Sequence, residues 1–149
     1  MRALLQRVTD ANVTIIEDNE RRVVGEIGAG ICAFVGITDD DDEVVAVRLA
    51  DKIANLRIFD DDDGVMNRSV LDSGGEVLVV SQFTLYADTR KGRRPSYIDA
   101  ARPEQAEPLC ERVVDRLREL GITVATGRFR TDMTVDLRND GPITLSLEI

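Results

Sequence analysis

The chain has 149 residues, of which 43% are hydrophobic and 32% are charged, and its formal net charge is −9. This composition predicts a single globular domain over residues 1–149 and excludes an intrinsically disordered protein. The negative charge argues against broad, nonspecific affinity for nucleic acid. A local basic site is still compatible with it, because phosphates respond to charges within about 10 Å.

The first half of the chain predicts strands followed by one helix. Apolar and polar residues alternate near the start, where a bulge around residues 10–12 would join two strand segments. Further on, apolar residues recur at spacings of four, four and three, at Val45, Leu49, Ile53 and Leu56, which is the pattern of an amphipathic helix. The predicted elements are strands at residues 2–9, 12–17, 23–27 and 31–37 and a helix at residues 41–56.

The second half adds a buried strand, a helix and a terminal hairpin. The continuous apolar run at residues 76–82 is typical of a fully buried strand. A helix is predicted from Pro103 to Leu120, although Pro108 would cost it a hydrogen bond. Alternation on both sides of Gly141-Pro142 predicts a hairpin there. The predicted fold class is mixed α/β, with mostly antiparallel β-sheet layers flanked by two main helices.

The chain contains no histidine, which removes the usual general base, the Ser-His-Asp and Cys-His arrangements and most zinc sites. Cys32 and Cys110 lack metal-ligand spacing, so we interpret them as small core residues. We predict no metal and no cofactor. Since no apolar run approaches the ~20 residues that span a bilayer and the start lacks a signal peptide's apolar core, we expect a cytoplasmic protein.

Two stretches are unusual for the structure that surrounds them. Pro142 lacks the N–H that a strand ladder needs, so it either begins the last strand after an ordinary turn or belongs to a functional loop. Ser81 and Gln82 place polar side chains at the end of a buried strand, where they either cap the following segment or form a site. Downstream lies a dense basic cluster, which is either a solvated loop or an anchor for phosphate: Arg90, Lys91, Arg93 and Arg94.

These stretches resemble the motifs of the D-aminoacyl-tRNA deacylases. "SQFTLYAD" (81–88) is similar to the Ser-Gln-x-x-Leu motif of that family, and "NDGPIT" (139–144) to its Asn-x-Gly-Pro-x-Thr motif. Three further segments agree in order along the chain: "LLQRVTDANV" (4–13), "RIFDDDDGVMN" (57–67) and "TGRFRTDM" (126–133). Each motif is short, but five in the correct order are specific, and together they cover essentially the whole chain.

The resemblance implies a homodimeric hydrolase that cleaves the ester between a D-amino acid and the 3′-terminal adenosine of tRNA. Gly141 and Pro142, joined by a cis peptide bond, would reach into the site of the other subunit and exclude L-amino acids. Glycine would escape this filter, so glycyl-tRNA is also an expected substrate. The remaining residues carried over around the substrate are Leu85, Asn139, Arg7, which orients the Gly-Pro loop, and Phe129 and Met133, which lie around the pocket.

The resemblance assigns catalysis to Ser81, Gln82, Phe83 and Thr84, with backbone N–H groups near Phe83 and Thr84 stabilising the oxyanion. The 2′-hydroxyl of the tRNA would assist the attack of water, and Thr84 as a covalent nucleophile is the competing role. The basic cluster would contact tRNA phosphates. Two other functions stay open: a nonenzymatic protein that binds the 3′ end of tRNA, and an interaction protein that uses its acidic surface.

Overall fold

The computed structural model describes all 149 residues. It contains eight strands, three α-helices and one 3-10 turn. The strands are β1 (Arg2–Glu17), β2 (Glu20–Ile27), β3 (Gly30–Gly36), β4 (Phe59–Asp60), β5 (Met66–Arg68), β6 (Glu76–Ser81), β7 (Val124–Thr126) and β8 (Met133–Glu148). The helices are α1 (Glu43–Asn55), α2 (Val70–Ser73) and α3 (Pro103–Glu119), and the 3-10 turn is Phe83–Tyr86.

Strand β1 is the centre of a six-stranded sheet. Along one edge it pairs with β8, and along the other it pairs first with β3 and then with β2, always antiparallel. Strands β6 and β7 extend the sheet beyond β3 in parallel. The predicted mixed α/β class is therefore confirmed, and it has one large sheet, with β4 and β5 forming a separate small hairpin.

Helices α1 and α3 pack side by side on one face of this sheet and bury the larger core of 24 residues. The opposite face covers a second core of seven residues. Alternation along the strands separates the two cores: Ala33 faces the helices, whereas Cys32 faces the smaller core. The sheet curls around this smaller core and brings β2 close to β7, so that a side chain at Gly25 would meet the Thr126 carbonyl.

The two predicted helices are present. The side chain of Asp42 caps α1 by accepting a hydrogen bond from the Val45 N–H at 2.9 Å. Helix α3 begins with Pro103, at a position where an N–H would have no acceptor within the helix, so proline loses no hydrogen bond there. The helix then continues through the exposed Pro108. Pro108 removes only the bond to the Glu104 carbonyl. None of the helices is long and apolar enough to cross a membrane.

The predicted terminal hairpin is wrong. Residues on both sides of Gly141-Pro142 belong to one strand, β8, which pairs with β1 from Ile15–Met133 at one end to Arg2–Glu148 at the other. The chain does not reverse direction because β1 is as long as β8 and offers partners to both halves. Instead, residues 140–143 bulge out opposite Arg7, between the pairs Gln6–Thr144 and Val8–Asn139.

Candidate active site

The Ser-Gln-x-x-Leu segment marks the point where β6 leaves the sheet. Ser81 is the last residue of β6 and pairs with Val35 of β3. The Gln82 N–H still donates to the Val35 carbonyl at 2.7 Å, after which the chain enters the 3-10 turn. The side-chain amide of Gln82 donates to Oγ1 of Thr84. The turn is thus held at its start by one backbone and one side-chain hydrogen bond.

The same turn leaves backbone donors near the strand end. The first N–H groups of any helical turn have no acceptor within that turn, and here they belong to Phe83 and Thr84. Leu85 is half-buried, and its carbonyl accepts a hydrogen bond from Nη1 of Arg2 at 3.2 Å. Leu85 therefore lies toward β1 and anchors the far end of the turn.

A cavity of about 480 Å³ lies beside Ser81, between β6, β7 and α3. Phe129 and Met133 line it together with Ser81, so three of the predicted site residues share one pocket. Gly127 also lines it, and a Cβ there would lie 2.6 Å from Sδ of Met133, so a side chain at this position would displace the Met133 thioether. Gln82, Phe83, Thr84 and Leu85 do not line this cavity.

Sequence reasoning missed the α3 side of the cavity. Glu107, Glu111 and Asp115 line it at helical spacings of four, and Arg118 and Arg128 add two cations. The signal was present in the sequence, because residues four apart share one face of a helix. It pointed to no particular neighbour until α3 was placed against β6 and β7.

The Gly-Pro segment forms the bulge in β8. The Gly141-Pro142 peptide bond is cis, and Gly141 has φ +109°, a conformation that other residues rarely adopt. The Asn139 side chain spans the bulge: its Oδ1 accepts from the Ile143 N–H at 3.1 Å, and its Nδ2 donates to Oγ1 of Thr144 at 2.8 Å. Gly141 and Pro142 are exposed.

Arg7 supports the bulge from within the protein. It is only 7% exposed, and its Nη1 donates to the Ile58 carbonyl at 2.7 Å. Its Nε lies 2.9 Å from Oδ2 of Asp140, an ion pair without hydrogen-bond geometry. Oδ2 of Asp60 lies 3.7 Å from Nη1. A Cβ on Gly141 would lie 3.1 Å from Nη2 of Arg7, so the guanidinium contacts the bulge closely.

One chain does not bring the two motifs together. The bulge lies opposite Arg7 on the β8 edge, whereas Ser81 aligns through Val35 with Ala3 of β1. Three strand spacings of ~4.8 Å and four residues of ~3.3 Å separate them, about 14 Å across the sheet and about 13 Å along it. The cavity beside Ser81 includes neither Gly141 nor Pro142.

The basic cluster forms a loop that follows the 3-10 turn. Asp88 and Ser96 close it by exchanging backbone hydrogen bonds of 2.8 and 2.9 Å. Arg90 folds back onto Asp88 with two side-chain bonds, and these lower the pKa of Asp88 to about 2. Lys91, Arg93 and Arg94 are exposed and form no ion pair, so their positive charges are available to bind an anion.

Comparisons with known proteins agree with this geometry. The family model of D-Tyr-tRNA(Tyr) deacylase matches residues 4–148. The chain is 54% identical to the D-aminoacyl-tRNA deacylase of Symbiobacterium thermophilum, covering 99% of this chain and 95% of that relative. It is 56% identical to the D-aminoacyl-tRNA deacylase of Brevibacillus brevis, covering 99% of both.

Two solved structures share the fold. One, described as "c-Myc DNA Unwinding Element Binding Protein", superposes with a TM-score of 0.90 at 38% identity and covers 100% of this chain and 99% of that one. The other, described as "a probable eukaryotic D-amino acid tRNA deacylase", has a TM-score of 0.84 at 16% identity and covers 99% and 98%. The family model and the relatives together show that this chain belongs to the D-aminoacyl-tRNA deacylases, hydrolases of the aminoacyl-tRNA ester bond.

Proposed function

We propose that this chain removes D-amino acids, and glycine attached to the wrong tRNA, from the 3′-terminal adenosine, and that it spares L-aminoacyl-tRNA. The observation that carries the proposal is the placement of Ser81, Phe129 and Met133 around one cavity, with the 3-10 turn that carries the Phe83 and Thr84 N–H groups beginning two residues after Ser81. The cavity holds the terminal adenosine and the amino acid. The enzyme acts in the cytoplasm as a single domain.

In this mechanism, water attacks the ester carbonyl and the backbone N–H groups of Phe83 and Thr84 stabilise the oxyanion. Ser81 and Gln82 shape this part of the site. The chain has no histidine, and the Ser81–Leu85 segment contains no carboxylate that could act as the base. We therefore assign assistance of the water to the 2′-hydroxyl of the terminal ribose. A covalent role for Thr84 is disfavoured, since its Oγ1 accepts from the Gln82 amide and contacts no carboxylate or other base.

Gly141 and Pro142 act as the chirality filter in the site of a second copy of the chain. Two observations support this assignment: the pair is exposed, and it lies far from Ser81 of its own chain. In a homodimer with shared sites, each bulge would face the other subunit's substrate. Backbone atoms there exclude an L side chain, whereas glycine has no side chain to exclude.

The first experiment compares D-tyrosyl-, L-tyrosyl- and glycyl-tRNA as substrates, with and without a chelator. We expect release of D-tyrosine and glycine, survival of L-tyrosyl-tRNA at the same enzyme concentration, and no effect of the chelator. A 2′-deoxy-terminated D-aminoacyl-tRNA should resist cleavage. Turnover of that substrate at the normal rate would remove the 2′-hydroxyl from the mechanism, and cleavage of the L ester would remove the filter.

A mixing experiment tests the shared site. Gln82→Ala impairs the strand-end half of the site and Gly141→Ala impairs the bulge. If each site combines residues from two subunits, random exchange of subunits makes half of the dimers heterodimers. Each heterodimer then has one intact site and one doubly mutated site, so about a quarter of all sites are intact. Activity that returns on mixing supports the shared site. No recovery, with heterodimers verified by a tag on one variant, would contradict it.

The alternative is a nonenzymatic protein that binds the 3′ end of tRNA through Arg90, Lys91, Arg93 and Arg94. A structure with the same fold is described as binding a DNA element, so nucleic-acid binding without hydrolysis is a relevant comparison. Binding of D-tyrosyl-tRNA without release of tyrosine would favour this alternative. Cleavage at catalytic enzyme concentration would exclude it.

A further inference from the structure

An exposed aromatic pair lies between the 3-10 turn and the basic loop. The rings of Phe83 and Tyr97 meet edge to face, with centroids 5.0 Å apart and an interplanar angle of 71°. Phe83 is 56% exposed and Tyr97 is 41% exposed. Two large apolar rings packed against each other in solvent are unusual on a protein surface whose charge is otherwise high, and neither ring contributes to the two cores.

The free cations of the basic loop precede Tyr97 by a few residues in the chain. Tyr97 directly follows Ser96, the residue that closes the loop with Asp88. Arg94 is three residues from Tyr97, so its Cα lies within about 10 Å along the chain. Because the Arg90 guanidinium is hydrogen-bonded to the Asp88 carboxylate, the cations available to a ligand are Lys91, Arg93 and Arg94.

We propose that Phe83 and Tyr97 form a stacking surface for unpaired nucleotides that precede the terminal adenosine, while Lys91, Arg93 and Arg94 neutralise their phosphates. The proposal rests on the tRNA substrate proposed above. It adds a residue, Tyr97, and a recognition mode that the catalytic segment does not contain. The backbone N–H of Phe83 stabilises the oxyanion, and the Phe83 ring stacks on a base of the RNA.

The chemistry of the patch selects single-stranded RNA among polyanions. Aromatic rings bind nucleic acid through the faces of bases, and those faces are available only where the bases are unpaired. The loop supplies positive charge in a protein of net charge −9, so an acidic partner is attracted here and repelled elsewhere.

The experiment measures binding of a hairpin RNA that carries no amino acid and ends in four unpaired nucleotides. The nucleotide next to its terminal adenosine is replaced by 2-aminopurine. A blunt hairpin is the control ligand. We expect the wild type to bind the overhang more tightly and to quench the 2-aminopurine. Tyr97→Leu should weaken binding of the overhang about 5- to 100-fold and abolish the quenching, whereas Tyr97→Phe should retain both.

The proposed phosphate contacts are tested by measuring how the affinity for the overhang RNA depends on salt concentration. Three phosphate contacts to a single strand predict a log–log salt slope of about −2, and Arg93→Gln should reduce its magnitude by about 0.7. Arg21→Gln is the matched charge control, because Arg21 is exposed, forms no ion pair and lies on β2. Ile16→Ala is the matched apolar control, because Ile16 is exposed on β1. Both controls should bind like the wild type.

Equal affinity of Tyr97→Leu and wild type for the overhang would overturn the proposal, as would equal affinity of the wild type for both RNAs. The proposal would also be overturned if Tyr97→Leu sedimented as a monomer where the wild type is a dimer, and the wild type did not quench the 2-aminopurine. That result would show that the rings contact a second copy of the chain. Deacylation is assayed separately. If Tyr97→Leu still cleaves D-tyrosyl-tRNA and binds RNA normally, only this proposal fails; if the wild type does not cleave, the proposed function fails.

Discussion

Thr84 and Gln82 hold each other at the start of the turn that follows β6. In the proposed mechanism Thr84 positions the turn and does not attack the substrate. Thr84→Ala removes one hydrogen bond, which contributes about 0.5–1.5 kcal/mol, so we expect kcat/KM to fall about 2- to 13-fold. Thr84→Ser keeps the acceptor and should retain most activity. Complete loss of activity in the alanine variant, together with an acyl-enzyme trapped in the wild type, would instead identify Thr84 as the nucleophile.

A single methyl group on Gly141 should damage both the local fold and the proposed filter. A Cβ there would lie 2.9 Å from Cγ1 of Ile143 and 3.1 Å from Nη2 of Arg7, and the residue has φ +109°. We expect Gly141→Ala to lower the free energy of unfolding by about 1–3 kcal/mol and to reduce cleavage of D-tyrosyl-tRNA.

Gly64→Ala is the control for this prediction. Gly64 has φ +76°, but nothing lies within 4 Å of its Cβ position, so this variant carries the backbone cost without the collision. Urea unfolding of both variants separates the two effects. An unfolding free energy and an activity of Gly141→Ala equal to those of Gly64→Ala would show that the bulge tolerates a side chain.

At the scale of elements, Arg7 joins β1, the β4–β5 hairpin and the bulge in β8. It is buried, whereas its two carboxylate partners, Asp60 and Asp140, are about half exposed. Asp60→Asn or Asp140→Asn alone should cost about 0–1 kcal/mol, because the other carboxylate still pairs with Arg7. The double variant leaves a buried guanidinium without a carboxylate and should cost more than the sum, with a coupling of roughly 0.5–3 kcal/mol.

Arg7→Met provides the test of this coupling. In that background the two carboxylates no longer face a cation, so their replacements should become additive and nearly neutral in urea unfolding. Additivity in the presence of Arg7 would show that the two carboxylates act independently. Because the bulge carries the proposed filter, the double variant should also cleave L-tyrosyl-tRNA faster relative to D-tyrosyl-tRNA than the wild type does.

At the scale of the whole molecule, acid should destabilise the protein. Ion pairs and hydrogen bonds lower the pKa of five carboxyls: Glu17, Asp61, Asp72, Asp88 and Glu119. A carboxyl whose pKa is lower in the folded state than in the unfolded state stabilises the fold above its unfolded value of about 4. That stability is lost as the pH falls through the folded pKa values, toward about 2 for Asp88.

We therefore expect the free energy of unfolding to change little between pH 7 and about 5 and to decline below about 4, measured by urea unfolding in 0.15 M salt to screen the net charge. Asp72 accepts bonds from the Ser69 N–H and hydroxyl in a capping box. Asp72→Asn should consequently reduce the acid sensitivity. A stability that rises steadily on acidification would mean that relief of charge repulsion outweighs these contacts.

Much of the secondary structure and the site could be predicted from local patterns. Periodicity identified α1, α3 and the buried strands, because residues two or four apart share a face whatever the element packs against. The Ser81–Leu85 and Gly141-Pro142 segments stood out because a polar strand end and a proline within a ladder violate local rules. Arg90 was grouped with the other cations of the loop, but only the structure revealed that Asp88 occupies it.

The sequence by itself determined helices α1 and α3, the strand character of β1, β2, β3, β6 and β8, and the residues that break the pattern, since these properties depend on near neighbours in the chain. Tertiary structure alone decided that β8 runs straight along β1, that the carboxylates of α3 border the cavity, and that Arg7 pairs with Asp60 and Asp140. The physical reason is that these contacts join residues far apart in sequence. Alternation is the same for a strand that turns back and a strand that continues, and only the length of the partner strand distinguishes the two.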